Sequence, residues 1–131
     1  MAQDRTAATI TNDPSRARVN VVIGDRHFTA TLIDGPAAKA FLERLPLSLD
    51  MSELNGNEKH GRLAHDLPTQ VTAPGRIRAG DLMLWGANTL VLFYKDFATT
   101  YGYTRLGRID DAQQLEEVLG KGAVVVKFGL N

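Results

Sequence analysis

Apolar and polar positions along the chain form short alternating or β-branched runs separated by turn residues, and this predicts mostly strands. Residues 18–23 are rich in β-branched side chains, and Gly24-Asp25 follows as a turn. Residues 26–33 then alternate, with Phe28, Ala30 and Leu32 on one face, so the two segments predict a hairpin. Asp34-Gly35-Pro36 stops the second strand. Ala38, Phe41, Leu42 and Leu45 fall at i, i+3, i+4 and i+7, which predicts a helix over 37–45 that Pro46 ends. Leu47, Leu49 and Met51 alternate with polar residues as a strand over 47–51.

The stretch 52–74 is long, polar and sparsely apolar, with a turn at Asn55-Gly56-Asn57, and reads as a connection. Connections of that length are often functional. After Ile77 and a tight turn at Ala79-Gly80-Asp81, residues 82–85 and 90–94 flank 86–89 as a hairpin of two nearly continuous apolar strands. Residues 106–109 make a short strand. Asp111 is placed to cap a helix over 112–119, with Gln114 completing a capping-box pattern and Leu115, Val118 and Leu119 as its apolar stripe. Gly120 can supply the left-handed turn after it, and residues 123–126 form a last buried strand. About eight short strands and two helices predict a mainly β protein, a closed and mostly antiparallel barrel with the helices at its open ends.

Composition narrows the function more than the fold. With 131 residues, one barrel domain over 18–131 is expected, preceded by a polar, flexible arm over 1–17. No cysteine is present, which excludes disulfides, thiolate zinc sites and cysteine nucleophiles. Fifteen basic residues balance fifteen acidic ones, so the electrostatic footprint of nucleic-acid binding is missing. No signal-like apolar run occurs and nowhere do about 18 apolar residues run together, so a cytoplasmic protein with no membrane partner is expected. The pattern assigns no oligomeric state.

Five words taken together carry a resemblance: Phe41-Leu-Glu-Arg-Leu-Pro-Leu-Ser48, Leu54-Asn-Gly-Asn-Glu-Lys59, Ala79-Gly-Asp-Leu82, Leu90-Val-Leu-Phe-Tyr94 and Leu106-Gly-Arg-Ile109. In that order they resemble the cyclophilin-like barrel family of bacterial and archaeal proteins of uncharacterised role, over residues 18–128. The resemblance implies a cyclophilin-type fold, an eight-stranded barrel capped by two helices, and carries no established activity. The Phe-His-Arg word that supplies the catalytic arginine of prolyl isomerase cyclophilins is absent. Their Gln-Phe-Phe word falls nearest Leu92-Phe93-Tyr94, and Arg62 is the nearest stand-in for the arginine.

The remaining chemistry is sparse. His60 and His65 lack the helical spacing that would put both on one metal, and His27 is out of phase with Phe28 and should face solvent, so no metal is expected. No Gly-x-Ser-x-Gly elbow and no phosphate-binding loop occur, Asp110-Asp111 is accounted for by helix capping, and no cofactor is implied. Tyr94, Phe97, Tyr101 and Tyr103 stand close together among threonines. Tyrosine suits recognition of a peptide or small molecule, and equally suits closing a barrel end. The expectation is a non-catalytic module that binds a peptide or small ligand at the barrel mouth. Trp85, Phe93, Tyr94, Tyr101 and Tyr103 would form its surface, with Glu58, Lys59 and Arg62 at the edge. The alternative is a weak peptidyl-prolyl isomerase using Arg62 beside Phe93.

Overall fold

Gly24, at φ 61°, folds the first β-branched run back on the second, and β1 (Arg18–Ile23) pairs antiparallel with β2 (Arg26–Leu32), Val21 opposite Phe28. The computed structural model describes residues 16–131. Of the arm expected over 1–17, only Arg16 and Ala17 fall within them, and the Ala17 carbonyl accepts from the Leu32 amide at 2.8 Å. Helix α1 (Pro36–Glu43) begins with its proline in the first turn, where a missing amide costs nothing, and buries Ala37, Ala38 and Phe41. The strands that follow are β3 (Leu47–Leu54), β4 (Glu58–Arg62), β5 (Arg76–Ile77), β6 (Asp81–Trp85), β7 (Thr89–Phe93), β8 (Phe97–Ala98) and β9 (Thr104–Ile109). Helix α2 (Leu115–Leu119) and β10 (Val124–Leu130) complete the order.

Eight strands close into a mainly β, antiparallel barrel in the order β1-β10-β3-β4-β7-β6-β9-β2, as expected from the run of short strands. Each barrel strand therefore has a partner on both sides, and its side chains alternate between interior and exterior. Val21, Leu82, Leu92, Leu106 and Phe128 fill the interior, with Phe41 of α1 set edge-on to Phe128 at 5.6 Å. Strand direction puts α1, Leu63 and Leu67 at one end of the barrel and α2 at the other. No described helix is long and apolar enough to cross a membrane.

Three departures from the pattern-based expectation bear on the site. First, the stretch expected as a connection holds the end of β3 and all of β4. Asn55 (φ 58°) and Gly56 (φ 68°) both adopt positive φ in a tight turn that the Asn57 amide closes on the Leu54 carbonyl, and the first strand pair beyond it joins Leu54 to Glu58. Strand β4 escaped the hydrophobic pattern because its interior positions are Lys59 and Gly61. The space beside Gly61 belongs to Leu49, whose Cγ would lie 2.8 Å from an added Cβ. Second, α2 starts at Leu115, three residues later than expected. The Asp111 carboxylate accepts from the nearby Gln113 amide at 3.3 Å, a local turn that competes with helix, and Arg26 holds the Gln114 side chain. Third, β5 and β8 form a separate two-stranded ribbon outside the barrel. Beneath it Ile77, Met83, Val91, Phe93 and Tyr103 make a second buried cluster on the outer wall of β6 and β7, with Phe97 packed against it.

Gly107 shows how closely β2 and β9 approach: an added Cβ would sit 2.4 Å from the Thr31 carbonyl oxygen and 2.9 Å from the Leu32 Cα. Both atoms are backbone, so the strands would have to part. Gly107→Ala should cost about 1–3 kcal/mol by urea denaturation. Gly129→Ala, with nothing within 4 Å, is the matched control and should cost far less.

Candidate functional site

Strand register decides which of the expected site residues share a surface. Leu54, Glu58 and Phe93 form one outward row across β3, β4 and β7. Ser52, His60, Val91 and Met83 form the next, and Arg62, Thr89 and Trp85 the third. Glu58 and Arg62 lie four residues apart on β4, about 13 Å at the usual strand rise. Over these rows the 99–103 segment brings Tyr101 and Tyr103, held to the 70–72 segment by paired Thr72–Tyr103 backbone hydrogen bonds of 2.9 Å each. A groove of about 550 Å³ results, lined by Glu58, Arg62, Trp85, Tyr101 and Tyr103 among others. It lies on the outer wall of the barrel and not at its mouth.

The aromatic residues divide by exposure. Trp85 is 55% exposed and Tyr101 67% exposed, unusual for rings of that size. Tyr103 is buried, edge-on to Phe93 at 5.5 Å, and Phe93 is wholly enclosed beneath it. Phe93 therefore supports the groove without reaching it. Tyr103 lines the groove and is also part of the outer-wall cluster.

Glu58 is the groove's buried charge, only 7% exposed. Burial pushes its carboxyl above the ordinary range, a hydrogen bond from the Asn55 side chain works against that, and the Glu53 charge adds to it. Tyr103 is raised by burial and by the Glu58 charge, with a Thr99 side-chain hydrogen bond opposing. Arg62 makes no hydrogen bond or ion pair among the described residues. Sequence reasoning did not assign Asn55, Leu54 or His60 to this surface, although the Asn-Gly dipeptide at 55–56 was the hairpin signal that would have placed them.

Lys59 and Tyr94 point the other way, into the α2 end of the barrel. Lys59 is completely buried, and its ammonium donates to the Gly120 carbonyl at 2.9 Å and the Gly122 carbonyl at 2.6 Å while pairing with Glu53 Oε1 at 3.0 Å. All three of its donors are thereby used. The Tyr94 hydroxyl donates to the same Glu53 oxygen at 2.8 Å, and the Gly56 amide donates to the other at 2.8 Å. Partial burial opposes ionisation of Glu53, but the hydrogen bonds from Lys59, Tyr94 and Gly56 and the lysine's charge outweigh it and hold the carboxyl below its usual range. Burial, the hydrogen bond to Glu53 and nearby carboxylates push the Tyr94 hydroxyl up to about 12. Among the described residues, no three His, Asp or Glu side chains come together in a way that could hold a metal ion.

Replacing Lys59 by Met should strand the two glycine carbonyls and cost about 1–3 kcal/mol in urea denaturation. A depressed carboxyl stabilises the fold above its unfolded value and loses that contribution as pH falls through its folded value. The native protein should therefore lose stability as Glu53 is protonated in acid, below the ordinary carboxylate range, and Lys59→Met should flatten that slope.

Comparison with known proteins accords with this architecture. The hypothetical protein AF2241 from Archaeoglobus fulgidus, known from a solution structure, superposes with a TM-score of 0.57 at 15% identity, over 89% of this chain and 96% of that one. At that identity the likeness is one of fold. No curated protein matches the chain. A family model described as the Cyclophilin-like family matches residues 21–129, nearly the whole barrel from β1 to β10. On that match the chain belongs to the Cyclophilin-like family.

Proposed function

We propose that the protein is a non-catalytic binding module whose outer-wall groove takes a short extended peptide or a small ligand of mixed apolar and polar character. The observation that carries this reading is the pair of exposed rings, Trp85 and Tyr101, beside a groove of about 550 Å³, a volume within the ordinary range of ligand sites. Large exposed aromatic side chains are surface that folding leaves unburied, and they supply binding area at little cost in side-chain entropy. Tyr103, Glu58 and Arg62 supply the polar contacts. Lys59 and Tyr94 serve the site indirectly, by fixing β4 from inside.

Trp85 is the single tryptophan of the chain, so its fluorescence reports the groove alone. Titration with proline-containing and proline-free peptides should shift that emission. Tyr101→Ala should weaken binding by about tenfold, the effect of truncating one aromatic contact, with the melting temperature nearly unchanged. A large fall in melting temperature instead would mean that the Tyr101 ring supports the fold.

A second reading, a weak peptidyl-prolyl isomerase, is favoured by Arg62, whose donors have no partner among the described residues and which lines the same groove. Catalysis of this kind needs an apolar slot and a donor that favours the twisted amide, whose barrier is about 18–20 kcal/mol. With Phe93 enclosed, Trp85 would have to form the slot. Two-dimensional exchange NMR on an Ala-Pro peptide separates the readings. Line broadening without exchange peaks supports the binding module, whereas exchange peaks that vanish with Arg62→Ala support the isomerase.

A further inference from the structure

We propose that the groove is selective for a basic side chain, and that Glu58 receives the ammonium or guanidinium of a lysine or arginine in an extended peptide lying across the outer wall. The proposal rests on the binding-module reading and names the chemistry of its ligand.

The closed ladder is the starting point. A peptide can join a sheet by adding a strand only where an edge has free amides and carbonyls, and each barrel strand here already has two partners. Along this wall a ligand must therefore be recognised mainly through side chains. Among the charged side chains of the groove, Glu58 is the buried one. It is more than nine-tenths buried, forms no ion pair among the described residues, and has the Asn55 amide as its side-chain hydrogen-bond partner. A carboxylate offers about four acceptor positions, and a buried one without a counter-charge is costly. A cation delivered by a ligand would remove that cost on binding.

The surroundings fit such a guest. Leu54 and Phe93 flank Glu58 in its row, and Tyr103 packs on Phe93, so the carboxylate sits among apolar and aromatic surface. The methylene stem of a lysine or arginine packs well on such surface while its charged head reaches the carboxylate. Charge along β4 also sets the position of the guest. His60 stands in the middle of the groove and Arg62 at its far end, with Asp50 also in the lining. The Glu58 end is thus negative, while at the other end Asp50 and Arg62 carry opposite charges that offset each other.

The experiment uses three pentapeptides, acetylated and amidated so that the central side chain carries the only charge: lysine, norleucine or glutamate between pairs of alanines. Binding is followed by calorimetry and by Trp85 emission. The lysine peptide should bind the native protein about tenfold more tightly than the norleucine peptide, the scale of one well-placed charge pair. The glutamate peptide should bind weakest. Glu58→Gln keeps the side chain's shape and should bring the lysine peptide down to the norleucine level. Because burial makes the Glu58 charge unfavourable to the fold, this variant should melt no lower than the native protein. Equal binding of lysine and norleucine peptides would overturn the selectivity while leaving the groove a binding site. A lysine preference that survives Glu58→Gln would overturn the assignment to Glu58. Failure of all three peptides to bind or to move Trp85 emission would overturn the peptide groove and this inference with it.

Discussion

Closing eight strands into a barrel fixes, for each strand residue, the side of the wall on which it stands. Once Val21 faces inward opposite Phe28, and Leu90 and Leu92 face inward on β7, alternation and hydrogen-bond register assign the rest. Strand β4 lies between β3 and β7 and takes its parity from both, so Lys59 and Gly61 go in and Glu58, His60 and Arg62 go out. Both halves of the structure's chemistry follow from that assignment. The inward lysine must find acceptors, and it finds them in Glu53 and in the carbonyls that follow α2. The outward set becomes one bank of the groove. A slip of one residue in β4 would put the Glu58 and His60 side chains in the barrel interior and leave Glu53 and the Gly120 and Gly122 carbonyls without Lys59.

The barrel itself was legible because most of its strands follow a simple rule. Residues 18–23, 82–85 and 90–94 are dense in apolar and β-branched side chains, and glycine-containing turns bound them. Strand β4 was illegible for the complementary reason: one interior position is filled by a lysine and the other by no side chain at all, so apolar periodicity has nothing to detect. The same gap moved the expected site. A connection over 52–74 leaves Glu58, Lys59 and Arg62 free to stand together at the barrel mouth. Strand parity instead sends Lys59 inside and leaves the other two on the outer wall. Tyr94 and Phe93 part company in the same way, as neighbours on opposite sides of one sheet. The short ribbon of β5 and β8 could not be read from two-residue strands, yet it belongs to the layer that buries Phe93 and Tyr103.

Because the groove is built from outward residues, its chemistry is nearly independent of the core. The inward set carries the packing that makes the barrel, and the outward set can change while that packing persists. This is consistent with a shared fold at 15% identity between this chain and the archaeal protein, since a barrel needs alternation and volume more than particular residues. Tyr103 is the exception. It serves the outer cluster and the groove at once, so changes there couple ligand contact to stability in a way that changes at Tyr101 do not.

The position of β10 between β1 and β3 governs how such a chain can be assembled. Val19 pairs with Leu130 and Met51 with Val124, so the barrel cannot seal until its final strand has been made. Before then β1 and β3 each present a bare edge, and the edge of β1 is the β-branched run Val19–Ile23, a ready template for another chain. During synthesis on the ribosome, the interval between the emergence of α2 and the docking of β10 is therefore the period of greatest exposure to aggregation. A chain cut short before residue 124 would remain in that state.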